Sequence, residues 1–233
     1  MYNTLIINNI IKTSIGATLL LCSASVQKAH ADSAQIWGQR NKETAGYAGN
    51  TAEMDSPNPD ISSGWAAGPN GISNLKDQFI EAGPIKDCSQ TGECKIYPYA
   101  SAKGADGNRY FKIDYSVAFM SASTYHTFGT NYKGNQVWES FWCYSGNCYE
   151  LMSPNLAQGK GFPYVVSGGE SNDTNNPIGQ ITTKNNQFRM AGTSSTSKYL
   201  WCYTSTVNNV DGYISSCGSN KDWTVQYDFT TVN

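Results

Sequence analysis

Apolar and polar residues alternate along most of the chain from Gly46 onward, a period of two that predicts strands rather than helices. Over Tyr110–Phe119, the residues Phe111, Ile113, Tyr115, Val117 and Phe119 share one face, and Lys112, Asp114 and Ser116 share the other. Near the C-terminus Trp223, Val225, Tyr227 and Phe229 alternate with Thr224, Gln226, Asp228 and Thr230. Gln136–Tyr144 carries aromatics on both faces, as expected of a strand covered on both sides. Further strands are predicted over Gly46–Glu53, Tyr164–Gly168, Ile178–Thr183 and Tyr199–Thr204.

Turn chemistry punctuates these runs at Asp106-Gly107-Asn108, Lys133-Gly134-Asn135, Ser145-Gly146-Asn147, Asp211-Gly212 and Asn172–Pro177. No stretch sustains a helical period. Ile72–Ile80 comes nearest, but the glycines and prolines around it favour a strand or a short turn. Met54–Ser63, with Pro57 and Pro59, reads as an ordered loop. Many short strands joined by frequent turns predict an all-β domain, a β-sandwich or barrel.

Composition agrees. The chain has 233 residues, with 22 Gly, 15 Tyr, 8 Phe and 6 Trp, and only 15% are charged. The length fits one domain at ~100–200 residues each. A net charge of −2 leaves no basic surplus to neutralise a phosphate backbone, so nucleic acid is not an expected partner.

The first residues read as an address. Lys12 precedes the apolar run Ile15–Leu21, and Ala29-His30-Ala31 fits a small-x-small cleavage site. Residues 1–31 are therefore expected to be a secretory signal peptide, with cleavage before Asp32 and residues 32–233 forming a single domain. The run is too short for a membrane span, and none is expected in the mature chain. Leu21 before Cys22 argues against a lipoprotein signal. A secreted or periplasmic location follows.

Six cysteines remain beyond the leader: Cys88, Cys94, Cys143, Cys148, Cys202 and Cys217. An even number in an exported chain predicts disulfides. The close pairs Cys88/Cys94, Cys143/Cys148 and Cys202/Cys217 each suit a hairpin or loop clip. Their spacings do not form the paired knuckles of a zinc site. His30 falls in the leader, which leaves His126 alone. Two-histidine metal motifs are thereby excluded, and oxidised cysteines offer no thiolate. There is no Gly-x-Ser-x-Gly elbow for a serine nucleophile and no glycine-rich phosphate loop. His126 reads as a strand residue with a satisfied hydrogen bond. No metal or cofactor is expected, and chemistry, if present, falls to carboxylates.

Two carboxylates sit in unusual company. Glu81 follows Phe79-Ile80 and precedes Ala82-Gly83, and Glu170 closes the apolar run Tyr164–Val166 behind Gly168 and Gly169. A carboxylate in such a setting is partly desolvated, which raises its pKa. Two of them facing one cleft repel and titrate apart, supplying a proton donor and a base. The two glycines would let a substrate backbone approach closely. The competing reading makes both glutamates edge carboxylates that accept backbone N–H bonds in turns. Glu139 and Glu150, flanked by aromatics, look locally similar.

Several segments, in their order and spacing, resemble the neprosin-type glutamic peptidases and, more distantly, the eqolisins. They are Gly64-Trp65-Ala66 followed by Ile80-Glu81-Ala82-Gly83, then Gly134-Asn135-Gln136-Val137-Trp138, the loop around Pro154, and Gly168-Gly169-Glu170. The match runs from Gly46 to Ile181. The resemblance implies a sandwich of two large antiparallel sheets, with Glu81 and Glu170 as the catalytic pair and Trp65 lining the cleft. Eqolisins carry Gln where Glu81 stands, which implies that this group polarises the scissile carbonyl and holds water. The family also implies a preference connected with proline. Two departures bear on that preference: Pro84 replaces the family's Trp after Ala-Gly, and Val166-Ser167 replaces Glu-Trp before Gly-Gly.

The function expected is a secreted endopeptidase acting at acidic pH on protein or peptide substrates, as a monomer. The alternative is a secreted carbohydrate-binding, lectin-like sandwich that stacks exposed Trp and Tyr on sugar faces. A third reading is a surface or matrix protein with no site.

Overall fold

The computed structural model describes residues 34–41, 45–74, 77–89, 93–117, 124–172, 176–193, 197–208, 210 and 212–227. The expected leader lies outside these residues, as do Phe119, Asp211 and Phe229 from the predicted strands and turns. Among the described residues all regular structure is strand. In chain order the strands are β1 (Ala34–Asn41), β2 (Tyr47–Met54), β3 (Trp65–Ala67), β4 (Asn70–Ser73), β5 (Phe79–Asp87), β6 (Lys95–Lys103), β7 (Arg109–Ile113) and β8 (His126–Gly134). They continue with β9 (Val137–Tyr144), β10 (Asn147–Met152), β11 (Tyr164–Ser171), β12 (Gly179–Met190), β13 (Tyr199–Leu200), β14 (Ser205–Asn208), β15 (Tyr213–Ile214) and β16 (Trp223–Tyr227).

Two antiparallel sheets result. One runs β14-β1-β11-β3-β5-β6-β7, with β4 bridging β11 and β5. The other runs β10-β9-β8-β2-β12-β16-β15, with β13 on the edge of β12. They stack face to face, β5 over β8 and β9, and β11 over β12 and β16. The core between them is apolar: Ile36, Ile72 and Ile80 from the first sheet meet Met54, Phe128, Trp138, Ile181 and Val225 from the second. Burying this set is the main force holding the sheets together.

A polar seam crosses the core. Asn50 Nδ2 donates to Asn70 Oδ1 at 2.8 Å, Asn70 Nδ2 to the Phe128 carbonyl at 3.0 Å, and Thr130 Oγ1 to Asn50 Oδ1 at 2.8 Å. Buried amides paired in this way fix the register of one sheet against the other. The three expected disulfides, Cys88–Cys94, Cys143–Cys148 and Cys202–Cys217, are formed. Among the described residues no helix is long and apolar enough to cross a membrane.

Several sequence expectations are corrected. A strand precedes Gly46: β1 lies between β11 and β14. The strand expected over Tyr110–Phe119 stops at Ile113, where Asp114–Ser116 turn away as Asp114 Oδ1 accepts the Ser116 N–H at 3.1 Å. The strand at Gln136–Tyr144 is covered mainly on one side. Trp138, Ser140 and Trp142 face the core, and the alternate positions are half-buried. The strand expected over Tyr199–Thr204 is confined to Tyr199–Leu200. Ile72–Ile80 is divided between β4 and β5, in line with the strand reading. The Pro57–Pro59 loop is ordered as expected, with Lys86 Nζ donating to the Pro59 carbonyl at 2.6 Å and to Asn58 Oδ1 at 3.1 Å.

Candidate active site

β5 carries Glu81. Its Ile80 and Ala82 point into the core, so Phe79, Glu81 and Ile85 point to the outer face of the first sheet. In register, Glu81 sits opposite Ser101 on β6, which sits opposite Phe111 on β7. Tyr99, one row along, donates its hydroxyl to Glu81 Oε1 at 3.3 Å. From the other sheet, Ser140 Oγ donates to the Glu81 carbonyl at 3.2 Å and ties the backbone at this position to β9. On the remaining side Glu81 faces Gly71, where a Cβ would stand 2.7 Å from the Glu81 Cβ and 2.4 Å from the Ile80 carbonyl oxygen.

β11 carries Glu170, 5% exposed, between Gln35 of β1 and Ala67 of β3. The short strands β3 and β4 lie between β5 and β11 as one interrupted ribbon. β3 pairs with Ile85–Asp87 and with Glu170–Ser171, and β4 pairs with Phe79–Ala82 and with Tyr164–Ser167. Across the break, the Gly68 N–H donates to the Pro84 carbonyl at 2.8 Å, and the Gly168 N–H to the Pro69 carbonyl at 3.0 Å. The strands bearing the two glutamates are therefore held two strand spacings apart, roughly 10 Å. Trp223 Nε1 donates to the Ser167 carbonyl at 3.3 Å and anchors β11 to the opposite sheet.

Both glutamates line one cleft of about 450 Å³ on this outer face. Trp65, Ile85 and Tyr99 give it an apolar floor, and Ala67 packs with them in one cluster. Phe79, Ser101 and Phe111 complete the lining around Glu81, and Arg109 stands at the β7 edge. Burial pushes the Glu81 carboxyl well above its usual range, the charge on Glu170 pushes it further, and the Tyr99 hydrogen bond opposes both more weakly. The Tyr99 phenol is likewise held well above its ordinary value by burial, then by the charges of Glu81 and Glu170 and its bond to Glu81. The arrangement favours a proton on Glu81 and disfavours two negative charges at once.

Of the residues singled out in the sequence, Glu81, Glu170 and Trp65 share the cleft. Gly168 and Gly169 do not line it. A Cβ on Gly169 would lie 2.5 Å from Ile178 Cγ2 in the core, and one on Gly168 would lie 2.3 Å from the Ile36 carbonyl oxygen on β1. Glu139 is instead bridged to Lys133 at 3.3 Å, and Glu150 is exposed. His126 is buried against Trp142 and Tyr144, away from the cleft, and burial lowers its pKa to about 4. Among the described residues no group of three His, Cys, Asp or Glu side chains is placed to hold a metal ion.

Sequence reasoning missed Tyr99, Ser101 and Phe79 as site residues, and it placed Phe111 on one face of a strand without saying what that face meets. Phe111 is 63% exposed. The alternation had found its face correctly, and that face is the cleft. Pairing Glu81 with the alternating run Ile96–Ser101 would have exposed Tyr99.

No protein-family model matches the sequence, and no curated protein does. Among solved structures, the fold is similar to scytalido-glutamic peptidase with a peptide-based transition-state analogue, at a TM-score of 0.54 and 11% identity over 82% of this chain and 97% of that one. A second structure of scytalido-glutamic peptidase, with a transition-state analogue inhibitor, gives 0.54 and 10% over the same shares, 82% and 97%. A member of the eqolisin family in a complex with the tripeptide Ala-Ile-His gives 0.49 and 11%, again over 82% and 97%. At such identities the likeness is one of fold.

Proposed function

We propose that the chain is a secreted glutamic endopeptidase of the neprosin and eqolisin type, which hydrolyses peptide bonds at acidic pH with Glu81, Glu170 and a water molecule. The observation that carries this reading is geometric: Glu81, half-buried, and Glu170, buried, line one cleft, where burial and the charge on Glu170 both favour a proton on Glu81. In this mechanism Glu170, ionised, takes a proton from the attacking water. Glu81, protonated, donates to the scissile carbonyl oxygen and stabilises the charge that develops there. The Tyr99 hydroxyl occupies Glu81 Oε1, which leaves Oε2 to carry the proton toward substrate. Trp65 and the apolar floor position an extended peptide. An acidic optimum follows, since Glu81 must keep its proton.

The three disulfides support an exported protein, secreted or periplasmic. Residues 32–233 are proposed as its single mature domain, working as a monomer and without a cofactor. The changes next to both glutamates, Pro84 and Val166-Ser167, make cleavage connected with proline an open part of the specificity to be mapped on peptides. Incubation with an unfolded protein at acidic pH, with fragments sequenced by mass spectrometry, tests the proposal. New peptide termini are expected. Intact substrate together with binding on a glycan panel would favour the lectin-like alternative.

A further inference from the structure

The cleft is electrically lopsided. Cross-strand neighbours point to the same face of a sheet, and the register places Phe79, Lys103 and Arg109 in one row. Glu81, Ser101 and Phe111 form the next row. Phe79, Glu81 and Arg109 all line the cleft, so Lys103, between Phe79 and Arg109, stands on the same face. Two cations directly opposite one another repel. Among the described residues neither makes a salt bridge; the ion pairs there join Lys95 to Glu93 and Lys133 to Glu139. Asp106, in the turn between β6 and β7, instead accepts the Asn108 N–H at 3.0 Å and Asn108 Nδ2 at 2.7 Å. Toward the opposite end of β5, Asp87 accepts the Tyr115 hydroxyl at 2.9 Å and the Ser89 N–H at 2.9 Å. There Lys95 stands directly opposite Asp87 and pairs with Glu93, so the charges at that end are mixed, whereas Lys103 and Arg109 are two adjacent cations with no ion pair among the described residues.

We infer that Lys103 and Arg109 form a subsite for a carboxylate of the bound peptide, so that substrates with an anionic group at a fixed distance from the scissile bond are preferred. The inference rests on the peptidase reading of the same cleft. Its chemistry is that of a guanidinium fork and an ammonium closing on one carboxylate, which also relieves their mutual repulsion. One row along the strands is about 7 Å and two strands across is about 10 Å. Allowing for side-chain reach, the carboxylate lies roughly two to four residues from the bond cut. Its source is either an Asp or Glu side chain or the free C-terminus of a short substrate.

The test uses two sets of otherwise identical peptides. One set carries Glu, Gln or cysteate at each position in turn; cysteate keeps its charge at acidic pH. The other set has a free or an amidated C-terminus. Cleavage is measured with the wild-type protein, and binding with Glu81→Gln, so the subsite is read even without turnover. A single position at which the anionic peptide binds about tenfold more tightly is expected. That preference should collapse to about onefold when Lys103→Gln and Arg109→Gln are added, and turn toward Lys-bearing peptides with Arg109→Glu. Preference in the first set assigns the side chain, and in the second the C-terminus. Equal binding of anionic and neutral peptides at every position, and with either C-terminus, overturns the inference even if all are cleaved. Anion-selective binding without any cleavage supports the subsite and removes the peptidase reading instead.

Discussion

The Tyr99 hydroxyl donates to Glu81 Oε1 across 3.3 Å, in a wall where Tyr99 is buried, Glu81 is half-buried and both feel the charge of Glu170. This bond is the one contribution that favours the ionised form of Glu81. Removing it with Tyr99→Phe should raise the Glu81 pKa further. The alkaline limb of the pH–activity profile, set by loss of the Glu81 proton, then moves upward by up to about one pH unit, for a bond of ~0.5–1.5 kcal/mol. A pH profile of kcat/KM checks this. A downward shift would contradict the assignment of Glu81 as the acid.

Asp55, in the loop after β2, accepts the Thr182 N–H at 2.6 Å, and burial raises its pKa to about 6. A folded pKa above the unfolded one means that the protonated carboxyl stabilises the fold fully below about pH 4. That stability is lost as pH rises through about 6. The loss should be on the order of 2–3 kcal/mol. Denaturation of wild type and Asp55→Asn across this window is the check, and the variant should show a flatter pH dependence. Equal slopes would mean that Asp55 does not titrate in this range.

Gly169 faces Ile178 and Val225 across the core, at 2.5 and 3.1 Å from where its Cβ would stand. Gly169→Ala should therefore destabilise the protein by about 1–3 kcal/mol through overpacking. Chemical denaturation measures it. If the glycine served substrate approach alone, stability would be unchanged and KM would rise.

The fold was largely legible because one face of most strands is buried, and burial writes a period of two into the sequence. The clips Cys88–Cys94 and Cys143–Cys148 were legible because each spans a short hairpin or loop. What failed did so for physical reasons. β1 was missed because its outward positions, Gln35, Trp37 and Gln39, alternate with Ile36, Gly38 and Arg40, so no clean apolar stripe exists. The role of Phe111 was not legible because a cleft wall is as apolar as a core. Alternation finds two faces without saying which one is covered. Glu81 and Glu170 stood out as carboxylates ending apolar runs. Tyr99 and Ser140 did not, since their contacts depend on sheet register and on the stacking of the second sheet.

Replacing either glutamate with its amide tests the central claim most directly. Glu81→Gln and Glu170→Gln keep the shape of the cleft and remove one titrating group each. Since burial disfavours the ionised Glu81, Glu81→Gln should also be at least as stable as wild type at neutral pH, so loss of activity would not reflect unfolding. Digestion of an unfolded protein from about pH 2 to about pH 7 should fall by ~10²–10⁴-fold in each variant. Wild-type cleavage by either variant would contradict the account.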